Sequence, residues 1–241
     1  MALRLDRWMV ENGFAGTPER AKAMIMAGDV LIDGQRVDKA GYLVPPNARV
    51  EVRAKPRYVS RGGLKLEAAL KRFEVQVEGA VCADIGTSTG GFTDCLLNHG
   101  ALRVHAIDTG TGQIDWRLRS DPRVVLHEGF NARYLELADL GEPVDLAVCD
   151  VSFISATAII PAITRVLKPE AGRMIVLVKP QFEVSREQVG EGGIVRDAAL
   201  QEASCAKVRA CVEESNFTTQ MMESPITGAE GNKEFLLYAR R

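Results

Sequence analysis

From residue 80 onward, short continuous apolar strands alternate with helical stretches. That pattern constrains the fold more than any other feature of the chain. Strands are expected near 80–84, 103–107, 123–127, 144–149 and 173–178, then 217–223 and 234–239. Helices are expected near 63–73, 90–98, 155–168 and 197–214. Strands apolar on both faces and separated by helices form a mostly parallel sheet covered on each side, an α/β doubly wound architecture. The last two strands have only Ser224–Gly231 between them, too little for a crossover helix, so they are expected to pair antiparallel.

The first fifty residues have a different texture: helix, helix, hairpin. Leu5, Trp8, Met9 and Asn12 share one helical face, and Gly13 ends it. Thr17 caps a second helix with Pro18 in its first turn, Ala21, Met24 and Ile25 form its apolar side, and Gly28 stops it. Asp33-Gly34 marks a hairpin turn, and Arg49–Arg53 alternates as a further strand. Pro56 then reads as part of an extended linker. The expected division is a small α+β domain over 1–54, a linker over 55–62 and the α/β domain over 63–241.

Charge divides along the same line. Residues 1–72 carry a net charge of +6 and residues 73–241 a net charge of −8. A basic module on an acidic body suits a polyanionic partner. Cys82, Cys95, Cys149, Cys205 and Cys211 are odd in number and form no C-x-x-C pair. They read as reduced thiols in a cytoplasmic protein, with no metal spacing. Charges interrupt the N-terminus before any apolar core forms, and no apolar run reaches membrane-spanning length, so neither leader nor membrane is expected. No apolar stripe demands an oligomer.

Two sets of residues carry chemistry. The first follows the first sheet strand: Asp84-Ile-Gly86-Thr87-Ser88-Thr-Gly90-Gly91-Phe92. Glycines let a backbone turn tightly and approach a ligand. The spacing is neither the dinucleotide fingerprint nor a P-loop. Asp108, at the end of the second strand, is placed to accept both hydroxyls of a bound ribose. The second set sits at strand ends. Asp150 and Lys179 close the fourth and fifth strands and emerge side by side if those strands are neighbours. Glu234 opens the last strand, and Lys65 lies near the start of the helix before the first strand, off the centre of its apolar face.

The glycine loop resembles the first motif of S-adenosylmethionine-dependent methyltransferases, and the order Lys65, Asp150, Lys179, Glu234 resembles the tetrad of FtsJ-like ribose 2′-O-methyltransferases. Leu5-Asp-Arg-Trp8, Ala21–Gly34 and Gln35–Lys39 resemble the S-four-like RNA-binding module. Together with Arg57-Tyr-Val-Ser-Arg-Gly-Gly-Leu-Lys65, the chain is similar over nearly its whole length to the TlyA/hemolysin-A family of rRNA cytidine-2′-O-methyltransferases.

The resemblance implies S-adenosylmethionine as cofactor, with its methionine part facing Gly86–Gly91, its ribose Asp108 and its adenine Asn131. It implies rRNA or assembled ribosomal subunits as partner, held by Arg4, Arg7, Arg20, Lys22, Arg36 and Lys39. The chain begins at the module and ends at Arg241, which matches the family's short form and so favours large-subunit rRNA.

The residue types suit the reaction. A ribose hydroxyl is a poor nucleophile, so an enzyme must align it and lighten its proton. Lys179 is expected as base or oxyanion stabiliser and Lys65 as a second cation that tunes it and holds the target. Asp150 is expected to orient Lys179 and to sit near the cofactor methyl as a cofactor-binding residue, and Glu234 to anchor both lysines; no metal is required. Three other readings compete. A pseudouridine synthase lacks its catalytic context here. A catalytically silent ribosome-binding protein and a membrane-active hemolysin are the remaining alternatives.

Overall fold

In a computed structural model, residues 3–52, 57–228 and 230–241 are described. The chain separates between Arg57 and Tyr58 into two compact units.

In the first unit, β1 (Leu3–Arg4) leads into α1 (Leu5–Glu11), followed by α2 (Pro18–Ala27), β2 (Val30–Ile32), β3 (Gln35–Arg36), β4 (Leu43–Val44) and β5 (Val50–Val52). Local signals set these boundaries. Thr17 Oγ1 accepts a hydrogen bond from Arg20 N, and Gly28 ends α2 at φ 78°. Asp33 and Gly34 take φ 50° and 78°, the double left-handed turn that joins β2 to β3. β2 lies between β3 and β5, antiparallel to both, and β1 pairs with β4.

Leu5, Met9, Ala21, Ile25, Val30, Ile32 and Val44 form the core of this unit. Fully burying a side chain the size of Leu5 or Met9 contributes roughly 1.5–3 kcal/mol. The expected four-residue face of α1 is narrower than expected. Asn12 lies beyond the helix end, is exposed, and donates to the Trp8 carbonyl, while half-buried Trp8 stacks on Phe14 at 5.5 Å. Arg53, Ala54, Lys55 and Pro56, the expected strand end and linker start, lie outside the described residues.

The second unit begins earlier than expected. Residues 58–62 pack as part of it rather than as linker: Tyr58 is buried, and Val59 N donates to Asp94 Oδ2 at 2.8 Å. Then come α3 (Gly62–Arg72), β6 (Val81–Ile85), α4 (Gly91–Asn98), β7 (Arg103–Asp108), α5 (Trp116–Arg119), β8 (Val124–Glu128), α6 (Leu137–Leu140) and β9 (Leu146–Cys149). The unit closes with α7 (Ile160–Val166), β10 (Arg173–Val178), α8 (Pro180–Glu183), α9 (Ala198–Glu213), β11 (Thr218–Glu223) and β12 (Phe235–Arg240).

Seven strands form one sheet in the order β11-β12-β10-β9-β6-β7-β8. β10, β9, β6, β7 and β8 are parallel, whereas β12 runs antiparallel to both β10 and β11. Side chains alternate between two cores. Leu66, Leu70, Leu96 and Leu118 bring α3, α4 and α5 onto one face with Cys82, Val104 and Ile175. Leu140, Ile160, Ile163, Val208 and Val212 bring α6, α7 and α9 onto the other with Ala83, Ile107 and Val176. This double burial is why the strands read as unbroken apolar runs.

The helix expected over 155–168 is broken. A 3₁₀ turn at Ala156–Ala158 precedes α7, because Pro161 has no N–H for a continuing helix but suits a first turn. The short helices α5, α6 and α8, four residues each, have no apolar period long enough to announce them. No helix among the described residues is long and apolar enough to cross a membrane.

Candidate active site

Sheet register assembles the site. β9 and β10 are parallel neighbours, with Cys149 paired to Val176, so Asp150 and Lys179 leave the sheet at its carboxyl edge. β12 is antiparallel to β10, and Val178 pairs with Phe235, so Glu234 arrives at that edge from the opposite direction. Lys65, in the second turn of α3, reaches the same place. All four line a cavity of about 500 Å³ together with Gly86, Thr87, Ser88, Gly91 and Phe92 of the glycine loop.

The charges form two pairs. Lys179 Nζ lies 2.6 Å from Asp150 Oδ1 and donates to Ser152 Oγ at 2.8 Å. Lys65 donates to Glu234 Oε2 in a short ion pair, with these residues only 7% and 3% exposed. One expectation is therefore corrected: Glu234 holds Lys65 alone, and Lys179 takes its contacts from Asp150 and Ser152. Lys65 lies off the apolar face of α3 as expected, and it is buried against its partner.

Ser152 was not singled out from sequence. Its signal was its position just past the end of the fourth strand, two residues after Asp150.

A second cavity, of about 670 Å³, adjoins the first and shares Gly86, Ser88, Asp150 and Ser152 with it. Asp108 and Asn131 line it. Asp108 accepts from Ser88 N and from Gly110 N, each at 2.7 Å, which fixes its carboxylate at the end of β7. Asn131 caps a 3₁₀ turn, accepting from Arg133 N through its side-chain oxygen.

Gly86 stands at φ 83°, and a Cβ there would lie 2.5 Å from the Asp150 carbonyl oxygen. Only glycine lets the loop approach β9 so closely. Gly90, at φ 96°, is the N-cap of α4 and would drive a side chain into Leu118; it lines neither cavity.

Asp84 also departs from expectation. It is fully buried, lines neither cavity, and accepts from Thr93 N at 2.9 Å and Thr93 Oγ1 at 2.6 Å. It ties the start of α4 to β6 rather than facing a ligand. Burial pushes its carboxyl up to about 7 against the opposing hydrogen bonds from Thr93, and the charges of Asp150 and Asp108 push the same way. A carboxyl raised in the folded state holds its proton more tightly there than in the unfolded chain. Its contribution to stability is therefore complete below about pH 4 and declines as pH rises toward and past 7. The isosteric Asp84→Asn variant lacks this decline. Urea denaturation is expected to show it gaining on the parent by on the order of 2 kcal/mol between pH 5 and 7. Parallel stability curves for the two proteins would contradict the assignment.

In the first unit, Arg4, Arg7, Arg20, Lys22, Arg36 and Lys39 are all exposed. Arg4 is engaged by Asp6 at 2.7 Å, and Arg36 lies over Gly28 and donates to the Ala27 carbonyl.

Comparison with known proteins places this geometry. Residues 58–241 match the FtsJ-like methyltransferase family and residues 3–50 the S4 domain. A 16S/23S rRNA (cytidine-2′-O)-methyltransferase TlyA of Mycobacterium tuberculosis (strain ATCC 25618 / H37Rv) is 41% identical over 240 residues, covering 98% of this chain and 89% of that protein. Hemolysin A of Brachyspira hyodysenteriae is 40% identical over 242 residues, covering 98% of this chain and 99% of that protein. A solved structure of a hemolysin-named protein from Streptococcus thermophilus superposes with a TM-score of 0.75 at 42% identity, covering 100% of this chain and 88% of the other. The sheet, the glycine loop and the two lysine–carboxylate pairs thus sit in a domain of known kind: this chain belongs to the FtsJ-like methyltransferase family, with an S4 domain ahead of the catalytic fold.

Proposed function

We propose that this protein methylates the ribose 2′-hydroxyl of a cytidine in ribosomal RNA, with S-adenosylmethionine as methyl donor. The observation that carries the reading is the convergence of Lys179–Asp150 and Lys65–Glu234 on one cavity beside the glycine loop. Those residues are matched to an activated methyl donor and a reluctant hydroxyl nucleophile.

The adjoining cavities fit such a cofactor. Their volumes lie in the range of small-molecule sites, roughly 300–1,000 Å³, and Gly86 leaves room that a Cβ would fill. Asp108 would hold the ribose hydroxyls, since each oxygen engaged by a loop amide keeps a further lone pair. Asn131 would hold the adenine, its side-chain amine remaining beyond the capping oxygen. The loop Gly86–Phe92 would hold the methionine part. When bound, the cofactor supplies a methyl group already activated on a positively charged sulfur.

Lys179 then acts at the 2′-oxygen, either as a neutral amine that takes its proton or as an ammonium that stabilises the oxyanion. Asp150 and Ser152 hold the Lys179 Nζ in place. Glu234 holds Lys65, whose charge faces the same cavity and fixes the target. The exposed cations of the first unit, Arg7, Arg20, Lys22 and Lys39 foremost, hold RNA phosphates, with Arg4 and Arg36 adding to them from their internal partners. The relative named for 16S and 23S rRNA supports ribosomal RNA as the partner and the cytoplasm as the place of action.

The test is transfer of labelled methyl from S-adenosylmethionine to unmodified ribosomal subunits and to naked rRNA, with the nucleotide located by its block to alkaline cleavage. Label in cytidine ribose is the expected result. Large-subunit RNA is the favoured substrate, and the small subunit is assayed beside it. Cofactor binding with no transfer to any RNA would favour a silent binding protein.

A further inference from the structure

Glu183 is a buried carboxylate at the end of α8, four residues beyond Lys179, with its side chain 2% exposed. Its oxygens face another segment of the site. It accepts from Ser155 Oγ and, at 2.7 Å, from Ala156 N. Lys207 of α9 lies 3.1 Å from Glu183 Oε2 and donates to the Glu183 carbonyl at 2.9 Å, so the carboxylate is itself held from behind.

Ser155 and Ala156 continue the stretch that carries Asp150 and Ser152. Between these two pairs lies Phe153, at φ 64° and 93% exposed. Left-handed backbone at a bulky residue costs of order 1–3 kcal/mol and persists only where the surroundings over-determine it. Here residues 179–183 hold the strained loop on both sides of Phe153. Lys179 holds Asp150 and Ser152 before it, and Glu183 holds Ser155 and Ala156 after it.

We propose that Glu183 is a positioning residue: it locks the segment bearing Asp150 and Ser152 to the segment bearing Lys179, so that the Lys179 ammonium stays seated between its two partners. The proposal rests on the methyl-transfer reading above. It concerns residues outside the two lysine–carboxylate pairs. Its expected size follows from geometry, since a misplacement of about 1 Å at a reacting group can cost on the order of 10²-fold in rate.

The experiment is single-turnover methyl transfer to ribosomal subunits by the full chain, with S-adenosylhomocysteine affinity and melting temperature measured on the same samples. Glu183→Ala is expected to lower the transfer rate about 10²-fold while cofactor affinity stays near the parent's. Glu183→Gln, whose amide oxygen still accepts from Ala156 N, is expected to recover most of that loss. The loss in Glu183→Ala falls on the transfer step at saturating cofactor and ribosomal subunits, and the concentrations that saturate stay near the parent's.

Ser155→Ala removes one donor to Glu183 together with the cap on Thr157 N, leaves Lys207 in place, and lowers the transfer rate less; it carries the test if Glu183→Ala does not fold. A loss that Glu183→Gln does not recover, or a rate that falls only in step with cofactor affinity and melting temperature, would overturn the proposal. Parent-like rates in all variants would do the same. No transfer by the parent protein would instead overturn the methyl-transfer reading and take this proposal with it.

Discussion

Lys179→Ala is expected to lower methyl transfer about 10²–10⁴-fold while leaving cofactor binding close to that of the parent. The lysine is the group in the first cavity placed to act on a hydroxyl proton, seated between Asp150 and Ser152 at the edge of the sheet. Removing a positioned acid–base group costs about 10²–10⁴-fold, which is roughly 3–5 kcal/mol of transition-state stabilisation. Asp108 and Asn131, proposed above to hold the ribose and adenine, line the neighbouring cavity, which Lys179 does not line, so most of the proposed contacts to S-adenosylhomocysteine remain and its affinity is expected to hold. Label transfer to ribosomal subunits and calorimetric titration of the same variant check the two halves of this expectation. Transfer at the parent rate would remove Lys179 from the reaction. Lys179→Arg separates its two roles, because a guanidinium keeps its charge but does not accept a proton at working pH. Residual transfer by the arginine variant identifies a cation that stabilises the oxyanion, and complete loss identifies a base.

The second large effect concerns stability as well as activity. Glu234→Ala leaves the Lys65 ammonium without its partner in a site where both residues are almost fully enclosed. Breaking a buried ion pair from one side costs about 3–5 kcal/mol, because the remaining charge loses its compensation but not its burial. Urea unfolding of Glu234→Ala is expected to show a loss of that size, and methyl transfer is expected to vanish. The double variant Lys65→Met, Glu234→Leu removes both charges together. It is expected to regain most of the stability, since apolar replacement of a whole buried pair is often neutral or better. It is expected to remain inactive, because the cavity has lost the Lys65 ammonium that is proposed to fix the target. If the double variant were as unstable as the single one, the pair would owe its importance to packing rather than charge.

Both results depend on residues far apart in the chain, and the physical origin of that placement differs from residue to residue. Thr17, Gly28 and the Asp33-Gly34 turn were readable because each acts on its own backbone within a few residues. The five parallel strands were readable because burial on both faces leaves a continuous apolar run in each. The glycine loop was readable as a close-approach turn, although not which backbone it approaches. That partner is the Asp150 carbonyl, sixty-four residues away and on the adjacent strand.

The candidate site shows the same boundary. Asp150, Lys179 and Glu234 could be named from strand ends, because a residue's position at the end of a strand is local information, whereas Lys65 on α3 was offered only by resemblance. The pairing of their charges could not. Lys65 and Glu234 are 169 positions apart and meet only because α3 packs on the sheet face while β12 runs antiparallel beside β10. Asp84 looked like a ligand contact from its place before Gly86, yet the close seating of α4 turns it inward onto Thr93. Pro161, which breaks the helix, was visible in the sequence, but not that Glu183 anchors the 3₁₀ turn before it by accepting from Ala156 N.

Sequence by itself thus determined the elements and their alternation, since those depend on dihedral preference and periodicity within a few residues, and it offered the candidate residues by their resemblance to a known tetrad. Tertiary structure alone decided which charge meets which, how deeply each is buried and how the loops are tied. Those depend on strand order and on the packing of both sheet faces, where desolvation sets the strength of every pair.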